Sequence, residues 1–459
     1  MREDWVEIEL GEICDYSKGK KPRILTKHKS VNTKFPYINI KAFEKGIFEE
    51  YTDGERCNLC EDGDLLMVWD GARAGLTGKA IKGAIGSTLM KIEPKSGINK
   101  NYLFYYLLSL YKKINTNPRG VGIPHVEPNL LWNSSLIIPG LHIQRVIVTK
   151  IENLFTSLDK GIADLKKAQK QLKVYRQAVL KKAFEGELTK EWRERTVKTD
   201  GRSSKEKTNS SIAAEPTTDY DHQCADKFPE GWKLVKLSEI SEHITDGDHQ
   251  APPKSKDGIP FITISNIDKL NNKIDFASTF YVKTDYFKDL NNKRVPHKGD
   301  ILYTVTGSFG IPVLIDFDKK FCFQRHIGLI RPKIDINQKW LFHLLQTQLV
   351  YGQASEKATG TAQKTVALST LRNIQIPLCS IQEQHQIVRE IESRLSVCDK
   401  IEQSITEGLE KSEALRQSIL KKAFEGKLLS NAEIEKCKQE ADYEPASVLL
   451  ERIKKEKKK

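Results

Sequence analysis

Residues 176–188 read RQAVLKKAFEGEL, and residues 416–428, 240 positions later, read RQSILKKAFEGKL. Ten of the thirteen positions are identical without a gap, which chance does not give in a chain of 459 residues. Each copy closes a long run with helical patterning, and each run follows a β-like segment ending in Ile-Pro, at Ile138-Pro139 and Ile376-Pro377. A period of about half the chain marks the duplication of a whole domain-plus-helix unit, not a solenoid of short repeats. Two similar halves are therefore expected.

Outward from the first copy, apolar residues fall at Ile147, Ile151, Leu154, Leu158, Ile162, Leu165, Ala168, Leu172, Tyr175 and Val179, spaced by three and four with no proline. That spacing predicts a coiled-coil seam about 40 residues long, roughly 60 Å at 1.5 Å per residue. The second run places Ile387, Ile391, Leu395, Cys398, Ile401, Ile405, Leu415 and Ile419 in the same way. Gly408 and Ser412 interrupt its stripe, so weaker packing is expected there. The simplest way to bury two such seams in one chain is against each other. Gly186 and Gly426 stand where such helices end.

The rest of the chain replays itself around these helices. Trp5 to Ile13 is echoed by Trp232 to Ile240, Phe35 to Ile40 by Ile259 to Ile264, Gly63-Asp64-Leu65-Leu66 by Gly299-Asp300-Ile301-Leu302, and Tyr102-Leu103-Phe104 by Trp340-Leu341-Phe342. Short strands with one or two helices in irregular order make each half α+β. The expected division is a domain over 1–141, a helix over 142–194, a flexible linker over 195–227, a second domain over 228–379, a second helix over 380–429 and a charged tail over 430–459. The tail ends KKEKKK and reads as part helical, part frayed.

Composition narrows the function. The formal charge is +13 and the pI about 9.1, which points to a polyanionic partner, nucleic acid first. Mean hydropathy is −0.49, with no apolar run near the roughly 20 residues a membrane span needs and no apolar signal region, so a cytoplasmic protein is expected. Of eight cysteines only Cys57 and Cys60 have a metal-like spacing, and nothing nearby completes a zinc site, so reduced thiols and no metal are expected. A phosphate-binding G-x-x-x-x-G-K-[ST] loop is missing. So is the Asn/Asp-Pro-Pro-Tyr/Phe grip of an amino-methyltransferase. Asn117-Pro118-Arg119 has arginine in place of the second proline, and Pro128-Asn129-Leu130 has the wrong order. No nuclease-like Asp…Glu-x-Lys set stands out, so no catalytic residues are expected.

The duplication is uneven. Between the framework strands the halves disagree: Gly71-Ala72-Arg73-Ala74-Gly75 stands opposite Gly307-Ser308-Phe309-Gly310-Ile311, and Arg119 to His125 opposite Lys357 to Gln363. Scaffold kept and loops changed suits two readers of different short messages. The whole chain resembles the specificity subunit of a type I restriction–modification enzyme. The resemblance is carried by the paired LKKAFEG motifs, the Gln-x-x-Ile-Val-x-x-Ile-Glu helix starts at Gln144 to Glu152 and Gln384 to Glu392, and the paired Gly-Asp-Leu/Ile-Leu strands, over roughly residues 1–430. One departure between the halves is visible: the segment Pro139 to Val148 is two residues shorter than its counterpart.

The resemblance implies two target-recognition domains, each reading one half of a bipartite, asymmetric double-stranded DNA sequence. They are separated by two antiparallel helices that dock two modification (methyltransferase) subunits, and restriction (motor-nuclease) subunits join the complex. S-adenosylmethionine, ATP and Mg are then expected on those partners and not on this chain. Subunit docking is expected around Leu180, Lys181, Lys182, Phe184 and Gly186, and around Leu420, Lys421, Lys422, Phe424 and Gly426. Arginine and glutamine can form paired hydrogen bonds to guanine and adenine edges, while lysine mostly holds phosphate. On that chemistry the candidate DNA contacts are Arg73, Arg119 and His125 in the first half, and His249, Gln250, Gln324, Arg325, Gln363 and Lys364 in the second. Lys18, Lys20, Lys21 and Arg23 are candidate phosphate contacts. Asp246-Gly247-Asp248-His249 reads as a glycine turn with a DNA-facing His in preference to a metal site. Two other readings stay open: the specificity subunit of a type IIB-like enzyme that cuts on both sides of its site, and a coiled-coil adaptor whose charge is incidental.

Overall fold

In the first half, strand Val6–Glu9 pairs antiparallel with Ser135–Ile138, bringing the start of the domain beside the segment that leads into its long helix. The second half repeats the pairing with Lys233–Lys236 against Gln375–Leu378. The computed structural model describes residues 4–199 and 228–456, apart from 121, 250, 251, 270 and 362. It divides into two units: one holds the residues up to Lys166 and from Thr406 onward, the other Lys167–Ile405.

The main sheet of the first unit is antiparallel, in the order Cys14–Lys18, Leu89–Pro94, Leu65–Val68, Thr77–Lys79. A second sheet places Phe35–Ile38 parallel to Gly83–Ile85. Strand Leu65–Val68 is buried on both faces, which is why it reads as an unbroken apolar run instead of an alternating one. Helix Lys100–Asn115 starts at Asn99, whose side chain accepts the Tyr102 N–H, and buries Tyr102, Leu103, Tyr106, Leu107, Leu110 and Ile114. The second unit has the same plan: Ser241–Asp246, Ile327–Pro332, Ile301–Thr304 and Pro312–Leu314 form its main sheet. Its helix Gln338–Leu345 is capped by Asn337. Here the helical stretch breaks, and Thr347 caps a further helix, Gln348–Glu356.

The repeated glutamine of the helix starts has a structural task. Gln144 is fully buried; its amide oxygen accepts the Asn99 N–H at 2.8 Å and its amide nitrogen donates to the Pro139 carbonyl at 2.9 Å. Gln384 does the same with Asn337 at 2.9 Å and the Cys379 carbonyl at 3.1 Å. Each glutamine ties the entrance of a long helix to the cap of the domain's own helix.

The long helices run over Leu141–Phe184 and Ile381–Phe424. Within the first unit, Arg416 pairs with Asp159 and lies 4.5 Å from the Phe155 ring centre. Within the second, Arg176 reaches Asp399 at 2.6 Å and Glu402 at 2.9 Å. These are the same ion pair twice, since 176 and 416, like 159 and 399, are 240 apart; in each unit the helical segments run antiparallel. The seams are corrected at four positions: Leu154, Tyr175, Ile401 and Leu415 are exposed, and Phe155 is buried instead of Leu154. A spacing of three or four fits two neighbouring faces of a helix, and packing chose the other one. The gap expected at Gly408 is filled, because a Cβ there would lie 3.2 Å from Leu165.

Two boundaries are also corrected. Helix Lys190–Thr199 continues through the first residues of the expected linker, while 200–227 lie outside the described residues. Arg193 on this helix, Thr189 and the Trp232 indole all give hydrogen bonds to the Glu383 carboxylate, which satisfies an otherwise costly buried charge. The charged tail holds two packed helices, Asn431–Lys438 and Ala446–Glu456. Ile434, Cys437, Leu449 and Ile453 enter the first unit's core, and Lys150–Glu433 and Lys438–Asp4 ion pairs flank them.

His343 is buried in the second unit, and that burial holds its imidazole down at about 4, although Glu392 nearby acts in the opposite sense. An unfolded histidine titrates near 6.5. Between about pH 6.5 and 4 the unfolded chain therefore binds a proton that the folded one refuses. Acidification through this window should destabilise the unit by about 1.4 kcal/mol per pH unit from this residue. Urea unfolding at pH 7 and pH 5 checks this: His343→Phe should lose less stability on acidification than the parent, and equal losses would refute it.

Candidate nucleic-acid interface

Each unit presents one hairpin, and the two are closed by matching hydrogen bonds but carry different side chains. In the first, Arg119 and His125 exchange backbone hydrogen bonds, both at 2.9 Å; in the second, Thr359 and Thr365 do so at 3.0 and 2.7 Å. Gly120 and Gly360 open the loops with φ of 91° and 106°, a left-handed region that glycine alone enters without cost. Both hairpins are tied to the end of a core strand. Gly71 N–H donates to the Pro124 carbonyl at 2.7 Å and Val126 N–H to Trp69 at 2.9 Å, matched by Gly307 to Lys364 at 2.9 Å and Val366 to Val305 at 2.8 Å. The structural partner of Arg119 is thus Thr359, not Lys357 as a direct reading of the sequence aligns it. Tyr102 and Trp340 are 238 positions apart and Arg119 and Thr359 240, so the second half gains two residues in the helical stretch between them.

Around the first hairpin, Asp70 joins two candidate residues: its carboxylate lies 2.7 Å from His125 Nδ1 and 2.9 Å from Lys18 Nζ. The corresponding pair in the second half is Thr306 and Thr365, 3.4 Å apart. Arg119 is exposed, as are Lys20, Lys21 and Arg23 on the segment that leaves the first main-sheet strand. Gly19 lets that segment turn away, since a Cβ would fall 2.1 Å from the Gly86 carbonyl oxygen. Arg73, on the loop joined to the hairpin through Gly71, leans 3.6 Å from Glu44.

In the second half a polar cleft of about 300 Å³ is lined by Asp246, Thr306, Arg325, His326 and Thr365, and so joins the 246–249 turn to the hairpin. The turn runs beside the segment carrying Gln324 and Arg325, whose backbone N–H reaches the Asp248 carbonyl at 3.1 Å. Gly247 is needed there, as a Cβ would meet the Phe323 carbonyl oxygen at 2.1 Å. The acids of this turn are already engaged. Asp246 faces His249 at 3.2 Å and Arg294 at 3.7 Å, and Asp248 takes the Tyr286 hydroxyl and Arg294. Among the described residues no group of His, Cys, Asp or Glu could hold a metal ion. Burial and the Arg325 guanidinium hold the His326 imidazole below its ordinary value, leaving a neutral ring that can donate and accept. Gln363 and Lys364 are exposed at the hairpin, and Gln250 lies outside the described residues. Asp70, Arg294 and Lys269, whose Nζ donates to Ser308 at 2.7 Å, were not singled out from sequence. The repeat offset of Trp69 and Val305 is the signal that could have found Asp70.

The LKKAFEG motifs, expected at the docking surface, turn their apolar residues into the cores of their units. Leu180 and Phe184 are buried beside Trp340 in the second unit's core, and Leu420 and Phe424 among Tyr102 and Tyr106 in the first. Side chains sealed inside a core have no surface left for a partner. Gly186 and Gly426 close both helices in Schellman turns: Glu187 N–H donates to Lys182 at 2.9 Å and Lys427 N–H to Lys422 at 2.7 Å. Gly426 also packs on the Trp5 ring and Gly186 against Pro229. Of the motifs, Lys181, Lys182 and Glu185 and their repeats Lys421, Lys422 and Glu425 are exposed.

A duplicated α+β domain, two antiparallel helical segments in each unit and a variable hairpin per half define a protein of the specificity-subunit class. The chain belongs to the family of type I restriction modification DNA specificity domains, whose model matches residues 2–169 and 229–411. It is 28% identical to the type I restriction enzyme EcoBI specificity subunit of Escherichia coli over an alignment of 481 positions covering 100% of this chain and 93% of that one. To the MjaVIII specificity subunit of Methanocaldococcus jannaschii it is 26% identical over 404 residues, 85% of this chain and 86% of that one. Two solved structures share the fold. One is a chain of a type I R-M system studied for complex assembly and conformational transition (TM-score 0.66, 20% identity, 93% of this chain and 99% of that one). The other is the HsdS subunit of Thermoanaerobacter tengcongensis (TM-score 0.51, 18% identity, 93% and 98%). No helix among the described residues is long and apolar enough to cross a membrane.

Proposed function

We propose that this chain is the DNA-specificity subunit of a type I restriction–modification complex, without catalytic residues of its own. Each half reads one part of a bipartite, asymmetric target, and the helices set the spacing. The observation that carries this reading is the pair of hairpins closed by matching hydrogen bonds and carrying two sets of side chains. Lys18, Lys20, Lys21 and Arg23 serve phosphate, with the sequence-independent attraction that an excess of cations supplies. Arg119 and His125, and in the other half His249, Gln324, Arg325, Gln363 and Lys364, supply hydrogen bonds to base edges. Two modification subunits dock on the helices, and restriction subunits join them. Tyr175 and Leu415 occupy one repeat position and are both about half exposed, at 49% and 51%, so two copies of one partner would meet the same apolar contact twice. S-adenosylmethionine, ATP and Mg²⁺ belong to those partners.

Adenine-methylation sequencing of cells carrying and lacking this gene tests the reading. One asymmetric motif with a fixed gap should be modified only in the carriers; identical methylation maps would sink it.

A further inference from the structure

The hairpin tips carry one matched position at which the two halves differ in kind. Ile123 is four residues beyond Arg119, and Gln363 four beyond Thr359, on hairpins closed and anchored by matching hydrogen bonds. One register position therefore carries an aliphatic side chain in the first half and an amide in the second. Ile123 is 64% exposed, although its hairpin is flanked by the charged residues Lys18, Asp70, Arg119 and His125. Its neighbours Gly122 and Pro124 offer no side-chain hydrogen bond either.

We propose that this position is where each half distinguishes a base pair: Ile123 by packing on the 5-methyl group of a thymine, Gln363 by paired hydrogen bonds to an adenine. The proposal rests on the DNA-recognition reading above. In the major groove the thymine methyl is the distinctive apolar feature of a base edge, and an amide can bond adenine N6 and N7 together. The segment that follows Ile123 in the first hairpin is held on several sides. Pro124 fixes one backbone angle, both ends are hydrogen-bonded, and Asp70 holds His125 in place. Lys18 can engage a backbone phosphate beside the tip, and Arg119 a neighbouring base edge, while the tip enters the groove. In the second half, Gln363 lies over Gly307, with its amide nitrogen 3.5 Å from the place a Cβ would occupy, so the loop backbone supports the reading group at contact distance.

The test uses the whole chain, expressed with its modification subunit in a host that lacks the system, and reads methylated motifs from the genome. Ile123→Ala should relax one thymine-containing position in one half-site and leave the other half-site unchanged. Gln363→Leu should relax an adenine position in the opposite half-site only. In a duplex of the wild-type motif, deoxyuridine in place of that thymine should weaken binding by about four-fold, the factor that one buried methyl is worth. The Ile123→Ala protein should show no such loss. Wild-type motifs from both variants, a first half-site without thymine, or equal binding to thymine and deoxyuridine at every position would each overturn the proposal while the recognition reading stands. Absence of any bipartite motif with the parent chain would remove the recognition reading, and this proposal with it.

Discussion

Phe424→Ala should cost the first unit about 3–5 kcal/mol, the usual loss when a buried aromatic is truncated in a core. Phe424 meets the edges of Tyr102 and Tyr106 with ring centres 5.2 and 5.3 Å away, and its neighbours Leu420 and Ala423 are equally enclosed. Those tyrosines are pinned, since their hydroxyls donate to the Ile137 and Ser135 carbonyls at 2.8 and 2.7 Å, so the site cannot collapse to fill the space. Against a total of about 5–15 kcal/mol for a typical domain, this is a large share. Hydrogen exchange followed during urea unfolding would locate it: protection should fall first along Leu65–Val68 and Lys100–Asn115. A loss below about 1 kcal/mol, or loss of protection only in the second unit, would show that the motif does not hold the first domain together.

Lengthening both helices should change the gap between half-sites and not the half-sites. Four residues inserted near Lys170 add about 6 Å at 1.5 Å per residue, at most about two base pairs of 3.4 Å. Seven in each helix add about 10.5 Å, at most about three base pairs, and leave the helix faces about 20° from their original phase. The insertions belong between Lys166 and Lys170 and between Ile405 and Thr406, where each helix passes from one unit to the other. Both lie between the reciprocal Arg176–Asp399 and Arg416–Asp159 pairs, so each unit keeps its own contacts. A half-site out of register forfeits about 1–3 kcal/mol per base pair, so methylation of the original target should disappear while a longer-gapped motif gains it. Methylome sequencing reads both, and an unchanged gap would refute the spacer role.

The duplication was legible because helix and strand patterning are local: Gln144 and Gln384 and the two LKKAFEG motifs could be matched by counting. What those motifs do was not. Leu180 and Phe184 look like a docking patch until the Trp340 core is seen around them. Ala446, Leu449, Leu450 and Ile453 had helical spacing, but dense lysine and glutamate around them made the segment resemble a solvated tail. The hairpins were harder still. His125 meets Asp70 from 55 positions away, and the hairpins match 240 positions apart whereas the domain helices before them match at 238. Contacts of that kind depend on how strands return, which periodicity does not encode.

The way the first unit is put together has a consequence for synthesis. Its core is completed by Leu420, Phe424, Ile434, Leu449 and Ile453, all made after the whole of the second unit. On the ribosome the second unit can close its core first, while the earlier-made strands around Leu65 wait with apolar surface uncovered. Non-local closure of this kind is slow, and the waiting state is open to aggregation. The half that leaves the ribosome first is thus the last to mature, and its exposure time is set by how quickly the remaining chain is translated.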